Sequence, residues 1–276
     1  MAMIAMERRD VQISPVRQRM LAFFDAHFNT QRPFGLKAEI RRRIEGRDLF
    51  WFRPPKMNPD SPFIKGGGAT LPGEIAREIA AKLKGSTENK VNQATYYVFR
   101  NVKRMDFWVN RRRELVGKRT GEQVLEDGYT NHGFHCGDYA QAILAILHAA
   151  GIPSRLAMEV TARGYVNFTA EAFTGRRWKR VDFGEDFERA EKGQLLTSGE
   201  LARPKVISLD IVRGLPNRAI FVLRGIERAD FGICDFESSK RFGEEKGRRR
   251  RITPEGAREV AEIRDRLDEK YEPCYK

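Results

Sequence analysis

The feature that most constrains this chain is a change of hydrophobic period near residue 151. Over residues 136–150 apolar side chains occupy most faces of a helical pattern, Ala140, Ile143, Leu144, Ile146 and Leu147 among them. That is the signature of a helix running through a core rather than lying on a surface. Gly151 and Pro153 stop it. Over residues 155–161 the pattern then alternates, with Leu156, Met158 and Val160 on one face, which is the period of a strand. Residues 167–173 and 178–183 read as a hairpin around Thr174-Gly175, and residues 206–212 and 219–224 as further strands. A buried helix followed by hairpin-connected strands implies an α+β fold, with helices packed on an antiparallel sheet.

The flanks read differently. Residues 1–85 form a helical N-terminal extension, with helices over 16–28 and 36–44 and a loop over 53–73 that holds five prolines and four glycines. A helix over 74–84 follows. Residues 86–225 make up the core, opening with a long amphipathic helix over 89–113. Thr120 and Gln123 form a capping box for a short helix ending at Gly128. Residues 226–276 are a C-terminal segment with a basic surface loop over 243–251 and a last helix from Pro254.

Composition narrows the class. The 18 Phe and 3 Trp can fill a core, which excludes a disordered chain. No apolar run is long enough to span a membrane, and the start MAMIAMERRD lacks a secretory pattern, so a cytoplasmic location is expected. Three cysteines cannot build a disulfide framework. The formal net charge of +13 points to an anionic partner such as nucleic acid, or else to a solvated surface rich in ion pairs.

A thiol at the start of a helix sits near the positive end of its dipole, which favours the thiolate. Cys136 is therefore the expected nucleophile. The run His135-Cys136-Gly137-Asp138-Tyr139-Ala140, followed by Gly151-Ile152-Pro153-Ser154-Arg155, resembles the transglutaminase-like superfamily. So do Glu171 with Phe173 and the W-x-x-x-D pattern from Trp178 to Asp182. The resemblance covers roughly residues 86–185. It implies a papain-like core, with the cysteine opening the central helix, the rest of the triad on the sheet, and chemistry at amide bonds.

One departure alters that expectation. The family's histidine lies four residues before the glutamate, where this chain has Asn167. The implied set is Cys136, Asn167 and Asp182, and an amide cannot accept a proton at neutral pH. No histidine follows His148. Three explanations stand: His132 or His135 takes the base role, Cys136 acts through its own lowered pKa, or the fold has been reused for binding. The superfamily includes a nucleotide-excision-repair damage sensor whose domain lacks the triad.

Basic runs give the binding reading its surface. Residues 100–119 carry a net +6 and residues 37–56 a net +4. Arg111, Arg112, Arg113, Arg248, Arg249, Arg250 and Arg251 are the candidate phosphate contacts if the basic runs converge on one face, with Trp51, Phe52 or Trp178 free to stack bases, although the family resemblance places Trp178 in the core. The His132-x-x-His135-Cys136 spacing, even with Cys274, fits no zinc pattern well, and there is no nucleotide fingerprint, so no metal or cofactor is expected.

Overall fold

The computed structural model describes residues 51, 53–104, 115–131, 135–161, 163–181, 219–246 and 249–275. The expected helices at 16–28 and 36–44 and the expected strand at 206–212 lie outside them.

A one-turn helix, Pro62–Lys65, precedes α1 (Glu74–Lys82), α2 (Thr87–Asn101), α3 (Gly121–Asp127) and α4 (His135–Ala149). Strands β3 (Ser154–Thr161), β4 (Val166–Phe173), β5 (Trp178–Arg180) and β6 (Ala219–Gly225) form an antiparallel sheet in the order β5-β4-β3-β6. Two-residue strands β1 (Lys103–Arg104) and β2 (Tyr129–Thr130) pair in parallel. The chain then continues through β7 (Gly243–Lys246), β8 (Arg249–Ile252) and α5 (Pro254–Tyr271).

The central helix forms where the apolar run requires it, and twelve of its fifteen residues are buried. Its end is a Schellman motif: Ile152 N–H donates to Leu147 O at 2.9 Å and Gly151 N–H to His148 O at 3.0 Å. Gly151 takes φ 65 there, a left-handed backbone that side-chain-bearing residues rarely adopt. Upstream, the Thr120–Gln123 capping box forms, each side chain accepting from the other's backbone N–H. Gly121 lets α3 lie against α4, since a Cβ there would come within 2.2 Å of Gln141 O.

The long helix expected over 89–113 differs. Ser86 caps α2, and the helix stops at Asn101 so that residues 103–104 can pair with 129–130. The expected surface loop over 243–251 is a hairpin instead: Gly243 pairs with Ile252 and Lys246 with Arg249. Its run of charges masked a ladder whose register pairs residue 244 with 251 and residue 245 with 250.

Alternation along β3 and β4 separates two faces. Leu156, Met158, Val160, Phe168, Ala170 and Ala172 join α4 in the core. Arg155, Glu159, Asn167 and Glu171 lie on the opposite face, with Arg155 across from Glu171 and Glu159 across from Asn167. That face is closed around a buried charge cluster. Arg155 Nε donates to Glu171 Oε2 at 2.6 Å, and Arg224 Nε donates to the same oxygen at 2.9 Å. Arg155 Nη1 also donates to Trp51 O and to the Tyr275 hydroxyl, both at 2.7 Å. Its guanidinium lies 3.8 Å from the centroid of the Trp178 ring, a desolvated cation–π contact. Burial alone would raise the Glu171 carboxyl, but Arg155 and Arg224 bring it down to about 2. Trp51 is 4% exposed and packs edge-on against Tyr275. Trp51 and Trp178 therefore serve this cluster and are not free to stack bases; Phe52 lies outside the described residues.

Candidate active site

Cys136 is the second residue of α4, in the turn whose backbone N–H groups lack helical acceptors. The residue keeps partial exposure while its sulfur is closely surrounded. The Phe168 and Gly137 backbone groups lie close enough to the sulfur to favour its anion. Val181 N–H takes Ala170 O at 2.8 Å on the outer edge of β4. Phe168, two residues earlier, presents its N–H on that same edge. The thiol thus sits where β4 runs past the end of β5.

The expectation of a thiol lowered by the helix dipole is not met. Burial pushes the Cys136 thiol up, ahead of the downward pull of the Phe168 and Gly137 backbone groups; Asp138 then adds to the rise and Arg228 opposes it. Desolvation of the anion outweighs the dipole at this depth.

Asn167 is engaged by a neighbour on β3. Its Nδ2 donates to Glu159 Oε2 at 3.1 Å, directly across the β3–β4 ladder. Arg180 holds the same carboxylate, with Nη1 2.6 Å from Oε1 and Nη2 donating to Oε2 at 3.2 Å. Glu159 and Arg180 are the side chains here that sequence reasoning missed. Counting register back from the hairpin turn would have paired residues 159 and 167.

His135 Nδ1 lies 2.6 Å from Thr130 Oγ1. His148 is at the far end of α4, twelve residues on from Cys136 and roughly 18 Å from it by helical rise. Its ring nitrogens meet Thr70 O at 3.1 Å and Ser154 O at 3.2 Å, and burial pushes it below the ordinary histidine range. It ties α4 to its surroundings. His132 and Asp182 lie outside the described residues. Among the described residues no group of three or more His, Cys, Asp or Glu side chains could hold a metal.

A second buried charge cluster supports the helix start. Asp138 is fully buried; its Oδ2 accepts from Arg119 Nη2 at 2.6 Å and from Asn131 N–H at 2.8 Å. Arg228 Nη1 donates to its Oδ1 at 3.3 Å, and Arg228 Nη2 donates to Arg119 O at 2.9 Å. Arg119 Nη1 also donates to Asp127 Oδ2 at 2.6 Å. Asp138 was visible in the motif, whereas Arg228, 90 residues away, carried no local signal.

Of the basic candidates, Arg111, Arg112, Arg113 and Arg248 lie outside the described residues. Arg249, Arg250 and Arg251 belong to β8, where Arg251 is exposed. No described helix is long and apolar enough to cross a membrane.

A search of curated proteins gives no match. A solved structure described as a "putative cysteine protease" from Cytophaga hutchinsonii aligns over 66% of this chain at 16% identity and a TM-score of 0.34. The chain spans about half of that structure's length, at 47%. Residues 73–183, which include the helix bearing Cys136 and strands β3, β4 and β5, match the model of the transglutaminase-like superfamily core.

Proposed function

We propose that this domain carries out thiol-based chemistry at amide bonds of a polypeptide or small amide, with Cys136 as the nucleophile. The observation that carries the reading is the place of Cys136 in the first turn of α4, where backbone N–H groups without helical acceptors favour an anion. In the proposed reaction the thiol proton passes to solvent. The sulfur attacks the carbonyl carbon, the C–S bond forms and the C–N bond breaks, and the amine leaves with a proton from water. Water or a second amine then cleaves the thioester and returns the thiolate. With Asn167 bound to Glu159, no imidazole need take part; Asp182 would orient a partner. The rate then follows the thiolate fraction and climbs on the alkaline side.

The test uses the full chain with Cys234 and Cys274 replaced by serine, so that Cys136 is the remaining thiol. Incubation with an activated ester and with a peptide amide, read by intact mass, should give an acyl adduct at Cys136 that increases with pH and is absent in Cys136→Ser. Alkylation at Cys136 without an acyl adduct at any pH would overturn the reading.

A binding module without chemistry is the second reading. It is favoured by the Asn167–Glu159–Arg180 linkage, which offers no proton acceptor in imidazole form. Its partner would be polypeptide or nucleic acid. For nucleic acid, binding should weaken steeply with salt and fall further when residues 248–251 are neutralised.

A further inference from the structure

We infer that Arg228 is a positioning residue for Cys136: its buried guanidinium, fixed beside the first turn of α4, supplies the positive charge that offsets Asp138 and supports the thiolate. This rests on Cys136 being the reactive group, as proposed above.

Arg228 lies outside the matched segment, at the start of a short 3-10 turn, Arg228–Phe231, that follows β6. It is 2% exposed. Both of its terminal nitrogens are directed: Nη1 donates to Asp138 Oδ1 at 3.3 Å and Nη2 to Arg119 O at 2.9 Å. Asp138 is two residues from Cys136 on the same helical turn. The charged groups that bear on the sulfur are thus Asp138 from α4 and Arg228 from the turn after β6, with opposite effects. The influence is reciprocal, since the Cys136 anion favours charged Arg228. Buried charges are poorly screened, so a guanidinium at this range affects an ionising sulfur more than a surface lysine would.

The turn is itself held in place. Asp230 Oδ2 accepts from Ile226 N–H at 2.7 Å and from Glu227 N–H at 3.2 Å. From α5, the Tyr271 hydroxyl donates to Asp230 Oδ2 at 2.8 Å, and Lys270 Nζ lies 2.6 Å from Oδ1. Helix α5 therefore fixes the turn that presents Arg228. A residue required only for packing would not need its charge; the proposal requires the charge.

The readout is the rate of iodoacetamide alkylation of Cys136 against pH, in the background without Cys234 and Cys274. Arg228→Gln should move the profile to higher pH and slow alkylation near neutrality by about tenfold, the value of one pKa unit. Arg228→Lys should restore most of the rate. An unmoved profile in a folded Arg228→Gln protein overturns the inference. If that variant does not fold, Asp138→Asn is compared with Asp138→Asn/Arg228→Gln, which removes charge from both sides. The double variant should alkylate at higher pH than the single one, and equal profiles overturn the inference. No acyl adduct is read in either arm, so this result is separate from that of the acyl-transfer test.

Discussion

Two buried clusters in this molecule have the same ingredients and different surroundings. Each places two arginines around one carboxylate: Arg155 and Arg224 around Glu171, and Arg119 and Arg228 around Asp138. The first is walled by Trp51, Trp178 and Tyr275 and joins β3, β4 and β6 to both flanks of the chain. The second lies against a thiol. Buried ion pairs cost desolvation and are weak evidence for net stability, yet removing one partner is expensive. The first cluster is therefore expected to govern folding, and the second to govern the sulfur.

The largest expected effect falls on the first cluster. Glu171→Ala leaves two guanidiniums buried without their shared carboxylate and should cost about 3–5 kcal/mol in denaturant unfolding. A loss below ~1 kcal/mol would show that the aromatic wall, and not the charge, holds this face. The acid dependence of the same residue comes next. Its folded pKa is about 2, against 4.5 for the ordinary carboxyl. Its contribution is thus complete above pH 4.5 and is lost as pH falls toward 2, roughly 3 kcal/mol in all. Glu171→Gln should lack that part of the acid curve, and an unchanged slope would count against the assignment.

Around the sulfur the expected changes are in reactivity. Asn167→His places an imidazole where an amide now meets Glu159. It should speed acylation of Cys136 near neutral pH by about 10²-fold, the lower end for a positioned base. No gain would mean that position 167 does not reach the sulfur. The smallest effect is expected at the solvent margin. Asp127 is 35% exposed where it pairs with Arg119. Asp127→Asn should change stability by less than about 1 kcal/mol and leave the alkylation profile where it was.

Much of the frame was legible because it is local. The apolar run ending at Gly151-Ile152-Pro153, the alternation of 155–161 and the Thr120–Gln123 box each encode one element, and each forms. Pro254 likewise opens α5 with Thr253 as its cap. What stayed hidden depends on contacts between distant segments. Trp51 reaches Arg155 across 104 residues and Arg228 reaches Asp138 across 90, and no periodicity encodes either meeting. The thiol was misjudged for a related reason: the helix dipole can be read from position alone, whereas the burial that opposes it depends on how the rest of the chain packs around the helix start. The hairpin over 243–252 was missed because its charges resembled a solvated loop when taken one strand at a time.

The order of residues along the chain gives the Arg228 turn one more consequence. Synthesis runs from the N-terminus, so the ribosome releases Asp138 90 residues before Arg228 and the bracing residues Lys270 and Tyr271 later still. At about 5–20 residues per second the delay to Arg228 alone lasts some seconds. In that interval the cysteine exists without its counter-charge. The Arg228 turn can dock against the first turn of α4 only after residue 228 has been made, so under the inference above the final reactivity of the thiol would be set late in synthesis.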